Sequence, residues 1–160
     1  MTTAVCPGSF DPVTLGHLDV VRRARSLFDR VVVGVAQNAG KSPLLDLDER
    51  VRLASAALAD IDGVEVAVVP GLLVDFCRDV GAAAIVKGLR GGADYDAEVP
   101  MALMNRHLTG VETVFVTGDP ALAHIASSLV KDVARHGGDV RDLVPEGVVD
   151  ALASALRGRA

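Results

Sequence analysis

The chain has 160 residues, half of them hydrophobic but only 3% aromatic, and a formal net charge of −5. That length suits one domain, residues 1–160, with a core of Val, Leu, Ala and Ile of the kind that builds a buried sheet covered by helices. The acidic balance excludes broad nucleic-acid binding, so an anionic ligand must be held by a local cluster of cations.

Thr2–Cys6 reads as a strand, apolar almost throughout, as expected when both faces are covered. The loop PGSFDPVTLGH follows. Gly8 there lets the backbone approach a ligand, and the prolines fix the path. Ser9 offers a hydroxyl and an N–H to phosphate oxygens. Leu18, Val21, Ala24, Leu27 and Phe28 then form a helical stripe. His17 falls in that helix's first turn, where free N–H groups and the dipole favour an anion, although a capping histidine would read the same way. Arg30–Ala36 is the second strand, and Asn38 to Pro43 is a loop presenting Lys41. Asp46 with Glu49 looks like a capping box opening a helix through Ala59. Val64–Val69 is a third strand, Leu72–Val80 a short helix and Ala83–Val86 a fourth strand.

VKGLRGGADYDAE comes next. Lys87 and Arg90 among three glycines at a strand's end read as a phosphate cradle, Arg90 gripping through two donors and Lys87 acting as a point charge, although an ordinary surface loop would read the same way. A helix over Ala97–Leu108 and a strand over Thr113–Val116 follow. HIASSLVK then sets Ser127 and Ser128 at the start of a helix over Ser127–His136, either an anion seat or an ordinary N-cap. Gly137-Gly138 ends that helix, and Pro145 starts a terminal one.

Five rounds of strand and helix predict an α/β fold, a Rossmann-like doubly wound five-stranded parallel sheet with a C-terminal helical segment. Ligands of such sheets bind beyond the strands' carboxyl ends. Four of the five strand ends carry phosphate-seeking groups. The P-loop pattern and a full G-x-G-x-x-G after the first strand are both missing. No Ser-His-Asp set or dense His/Cys/Asp cluster suggests a hydrolase or a zinc enzyme. Cys6 and Cys77 fall in no disulfide or metal pattern and read as reduced, buried thiols. No signal peptide or membrane span is evident, and the expected location is cytoplasmic.

PGSFDPVTLGH resembles the first signature of the nucleotidyltransferase superfamily, in its T-x-G-H form at Thr14 to His17. With LDLDERVRLA, VKGLRGGADYDAE, MNRHL and SSLVKDVARHGGDV in matching order from about Ala4 to Val148, the chain is similar to bacterial phosphopantetheine adenylyltransferases. The resemblance implies adenylyl transfer from ATP to 4′-phosphopantetheine, giving dephospho-coenzyme A and pyrophosphate, with Mg²⁺ carried on ATP and no covalent intermediate. It implies catalytic roles for His17 and Lys41. It assigns ATP to Ser9, Phe10, His17, Gly88, Leu89, Arg90, Glu98 and the run Leu122, Ala123, His124, Ile125, Ala126, Ser127 and Ser128. Phosphopantetheine falls to Ser9, Lys41, Leu73 and Lys87. No protein metal site, nucleic acid or membrane is implied; a homohexamer and feedback by coenzyme A are.

Three positions depart from the family pattern. Lys87 stands where many relatives have Arg, Ala126 replaces the first of three serines, and Leu122 sits where some relatives have an aromatic residue. Two other readings stay open, a related nucleotidyltransferase with another phosphate acceptor and a non-catalytic nucleotide-binding module. An acceptor panel separates the first, and ATP binding without turnover marks the second.

Overall fold

The computed structural model describes residues 1–37 and 42–159. In chain order the elements are β1 (Thr3–Gly8), α1 (Leu15–Leu27), β2 (Arg30–Ala36), α2 (Leu47–Leu58), β3 (Val64–Val69), α3 (Leu73–Asp79), β4 (Ala84–Leu89), α4 (Gly92–Thr109), β5 (Glu112–Thr117), a 3₁₀ turn (Pro120–Leu122), α5 (Ser127–Arg135) and α6 (Val148–Arg157). The strands form one sheet in the order β3-β2-β1-β4-β5, and every pairing is parallel. The chain winds outward from β1 to β3, then returns to lay β4 on the other side of β1. That reversal is the switch point at which doubly wound sheets open a crevice.

Strand alternation divides the core. Ala4, Cys6, Val31, Val33, Val35 and Val86 point to one face and join the apolar sides of α1, α2, α5 and α6. Val5, Val32 and Ile85 point to the other, against Leu73, Phe76 and Cys77 of α3. With both faces covered, the strands need uninterrupted apolar residues. Both cysteines are free and buried. Burial pushes the Cys6 thiol up to about 12 and the Cys77 thiol up to about 11, which keeps them unreactive. Among the described residues no helix is long and apolar enough to cross a membrane.

The seam between β1 and β4 shapes everything above it. β1 follows β2 over its whole length, from Thr3 with Arg30 to Gly8 with Val35. Against β4 it keeps register only at Ala4 with Ala84 and Val5 with Ile85. Beyond those rungs the two strands part while both continue, β4 staying paired to β5 as far as Leu89 with Thr117.

Three boundaries differ from the sequence reading by three residues or more, and one expected cap forms only in part. β4 runs on through Lys87-Gly88-Leu89, because the ladder to β5 carries residues whose side chains look like loop. α4 starts at Gly92 rather than Ala97, since the acids of GADYDAE sit in its first turns and complement the N-terminal dipole. At α2 only half of the expected capping box forms. Asp46 accepts from the Glu49 N–H at 2.8 Å, but the Glu49 carboxylate is drawn to Arg52, 2.7 Å away. The terminal helix begins at Val148, after a left-handed Gly147, instead of at Pro145.

Candidate functional site

The wedge between the parted strands opens into a crevice of about 780 Å³. Its floor is Cys6 to Gly8 and Val86 to Leu89, one wall is Thr14, Gly16, His17 and Val20, and the far wall runs from Thr117 to Ser128. Of the residues singled out in the sequence, Phe10, His17, Lys87, Gly88, Leu89, Arg90, Glu98, Leu122, Ala123, Ile125, Ala126, Ser127 and Ser128 line this one crevice. Ser9, Leu73 and His124 are outside that lining. Leu73 instead packs with Val5, Val32, Cys77 and Ile85 beneath the sheet. Lys41 lies outside the described residues.

His17 is fixed by the turn that precedes it. Thr14 is the N-cap of α1, and a reciprocal box forms: the Thr14 N–H donates to His17 Nδ1 at 3.0 Å, and the His17 N–H donates to Thr14 Oγ1 at 3.4 Å. Because Nδ1 accepts a backbone proton, the neutral ring carries its own proton on Nε2. Phe10, buried and held at a positive φ of 49°, lies across the imidazole with ring centroids 4.8 Å apart. Burial, then the charges of Arg90 and Lys87, push the imidazole down to about 4. It is therefore a neutral hydrogen-bond donor at physiological pH.

The cations come from β4 and the turn after it. Lys87 Nζ is 3.1 Å from Glu98. Arg90 donates through Nε and Nη2 to the two oxygens of Asp94, both at 3.1 Å, and through Nη1 to the Ile125 carbonyl at 3.1 Å. The guanidinium thus spans the crevice from α4 to the segment before α5. Gly88 allows α1 to lie against β4, since a Cβ there would fall 2.3 Å from Val20 Cγ2.

Beneath the crevice is a scaffold of buried charge that the sequence reading left unassigned. Asp11, 4% exposed, accepts from the Leu44 N–H at 3.0 Å, the Leu45 N–H at 2.9 Å and Lys131 Nζ at 2.8 Å. Burial favours the neutral acid, but the Lys131 bond and the two amides outweigh it and hold the carboxyl below its usual range. Arg50, 3% exposed, donates to the carbonyls of Ser9 at 2.8 Å, Ala36 at 3.0 Å and Leu45 at 3.2 Å. Ser127 Oγ donates to the Pro12 carbonyl at 2.8 Å, and the N-cap of α5 is Ala126 with no side-chain cap. The loop after β1 is thereby pinned from α2 and from α5. Asp19 adds one more tie, accepting from the Asp119 N–H at 2.8 Å. Asp11 and Arg50 sit inside quoted motifs, so their presence was visible; that they turn inward was not.

Fold and crevice together define an α/β protein with a crevice bearing Lys87 and Arg90 at the carboxyl ends of its strands. A family model described as cytidylyltransferase-like matches residues 5–133. Phosphopantetheine adenylyltransferase of Nocardioides sp. strain JS614 is 57% identical over 156 residues, covering 98% of each chain. The protein of the same name from Bifidobacterium animalis subsp. lactis is 57% identical over 159 residues, covering 98% of this chain and all of that one. The Streptomyces coelicolor counterpart is 50% identical over 159 residues. In fold the chain is similar to a Vibrio parahaemolyticus protein described as a candidate nicotinate-nucleotide adenylyltransferase, with a TM-score of 0.71 at 18% identity, covering 100% of this chain and 98% of that one. The chain belongs to the cytidylyltransferase-like family and, within it, to the phosphopantetheine adenylyltransferases.

Proposed function

We propose that the chain transfers the adenylyl group of ATP to 4′-phosphopantetheine, releasing pyrophosphate and leaving dephospho-coenzyme A. The observation that carries the reading is the convergence of His17, Lys87 and Arg90 on one crevice, in a chain at least half identical over nearly its whole length to proteins that bear this name.

The chemistry asks for little more. An oxygen of the 4′-phosphate attacks the α-phosphorus; that P–O bond forms as the bond to the bridging oxygen of the β-phosphate breaks, and pyrophosphate leaves with the electron pair. The nucleophile is already ionised, so no strong base is required, and the barrier is charge repulsion and positioning. His17 Nε2–H donates to the α-phosphoryl oxygen where negative charge grows. Arg90 and Lys87 offset the charge of the incoming anions, Arg90 on the ATP side and Lys87 on the pantetheine side, with Lys41 and Ser9 assigned to the acceptor. Among the described residues no group of three or more His, Cys, Asp or Glu forms a metal cage. In this reading Mg²⁺ enters with ATP and would offset the charge of its phosphates.

The remaining proposals follow the same line. Met101, Met104 and Leu108 lie in one exposed stripe along α4, which supports burial in a homohexamer. Coenzyme A combines the pantetheine and adenylate portions of the two substrates, so it is assigned as a competitive inhibitor of the same crevice, and the reaction is assigned to the cytoplasm. The test is pyrophosphate release from ATP with phosphopantetheine and with its dephosphorylated form. Release with phosphopantetheine alone is expected, and His17→Ala is expected to lower kcat by about 10²–10³. Turnover that survives intact in His17→Ala would remove the role given to that residue.

A further inference from the structure

Arg90 has five N–H donors in a planar fork, and three of them are already committed, two to Asp94 and one to the Ile125 carbonyl. Asp94 takes Nε and Nη2 side-on and also accepts the backbone N–H of Arg90 at 2.8 Å. One N–H then remains on each terminal nitrogen, enough for a phosphate oxygen pair. An unpaired surface arginine would lose considerable rotamer entropy on meeting a ligand. Here most of that loss is incurred on folding. Both acid and cation line the crevice, so the arrangement belongs to the site rather than to the outer surface of α4.

We infer that Asp94 is the positioning residue of the nucleotide side: its carboxylate sets the plane of the Arg90 guanidinium across the crevice and so determines how tightly the triphosphate is held. Asp94 acts through Arg90 and makes no contact of its own with the reacting atoms. The inference rests on the adenylyl-transfer reading only through the assignment of Arg90 to ATP. Glu98, one helical turn further along α4, makes a single contact to Lys87 and sets no plane.

Asp94→Asn separates the two jobs of this carboxylate. An amide oxygen can still accept a backbone N–H, but it cannot receive the paired Nε and Nη2 donors, because its NH₂ group opposes one of them. The experiment titrates ATP calorimetrically into the wild type, Asp94→Asn, Arg90→Ala and the double variant, and measures both KM values. Asp94→Asn is expected to weaken ATP binding and raise the ATP KM about tenfold, with the phosphopantetheine KM within roughly twofold of wild type. In the Arg90→Ala background the same substitution is expected to change nothing further. An ATP affinity within twofold of wild type, an equal rise in both KM values, or an undiminished effect in the absence of Arg90 would each overturn the inference. Should the wild type bind ATP and yet adenylylate no phosphopantetheine, the proposed reaction falls while the ATP titrations still decide the role of Asp94.

Discussion

His17 enters the site with one ring nitrogen already engaged by the Thr14 N–H and with its pKa pushed down to about 4. Both facts describe a hydrogen-bond donor that stays neutral. kcat is therefore expected to show no histidine ionisation between roughly pH 6 and 9, a profile that steady-state rates at saturating substrates would reveal. Stability behaves differently. The unfolded chain takes up a proton near the ordinary value of 6.5, while the folded imidazole resists it until about 4. The contribution is full above pH 6.5 and is lost as pH falls through that window. Melting temperatures of wild type and His17→Gln are expected to converge as pH drops from 6.5 to 4.

Asp11 makes a second residue-scale case. Its carboxyl is held below 3.8, so its stabilisation is present above that pH and disappears in stronger acid. Asp11→Ala strands the Lys131 ammonium and two amides and is expected to cost about 3 kcal/mol in urea unfolding. Adding Lys131→Met is expected to recover part of that loss. An Asp11→Ala protein as stable as wild type would show that the buried pair contributes nothing net.

At the scale of elements, the contact of α1 with β4 turns on one missing side chain. Gly88→Ala would drive a methyl group into Val20 and is expected to destabilise by about 1–3 kcal/mol; Val20→Ala in the same chain is expected to relieve it. Equilibrium unfolding of the two single variants and the double would decide.

This is also the scale at which the sequence was most and least readable. β2 and β3 were legible to the residue, because runs such as VVVGVA admit only a strand covered on both faces. The first turns of α4 were not, because GGADYDAE has the composition of a loop. Its acids Asp94 and Glu98 instead sit in the first turns of the helix, paired with Arg90 four residues before and Lys87 eleven residues before. Ser127 likewise looked like a cap and proved to be a tie to the Pro12 carbonyl, a bond across 115 residues that no local rule encodes. The T-x-G-H run, by contrast, gave His17 its position correctly, since an N-terminal turn is a local decision.

For the molecule as a whole, alternation along the chain told that the sheet is parallel, but the order β3-β2-β1-β4-β5 depends on where the fourth strand returns. That return brings residues near the N-terminus, Phe10 and His17, against the run from Leu122 to Ser128. Each was recognisable separately; their meeting belongs to the topology. The exposed stripe Met101, Met104 and Leu108 gives an expectation at the same scale. Replacing Met101 and Met104 by Lys is expected to reduce the mass of the proposed homohexamer in sedimentation, and an unchanged mass would exclude that face from the contact.

The two lone rungs joining β1 to β4 carry a consequence for the resting protein. Above them no ladder joins β1 to β4, like a zip drawn part of the way, and α1 bridges the gap with Val20 against Gly88. A nucleotide seated there as proposed would contact both sides of the opening, so its affinity and the cohesion of the two halves would become one linked quantity. At a hundredfold excess over Kd it is expected to add about 2.7 kcal/mol of resistance to unfolding, with the slowing of amide exchange greatest along Cys6 to Gly8 and Val86 to Leu89. A nucleotide bound there would be, in that sense, a temporary part of the sheet.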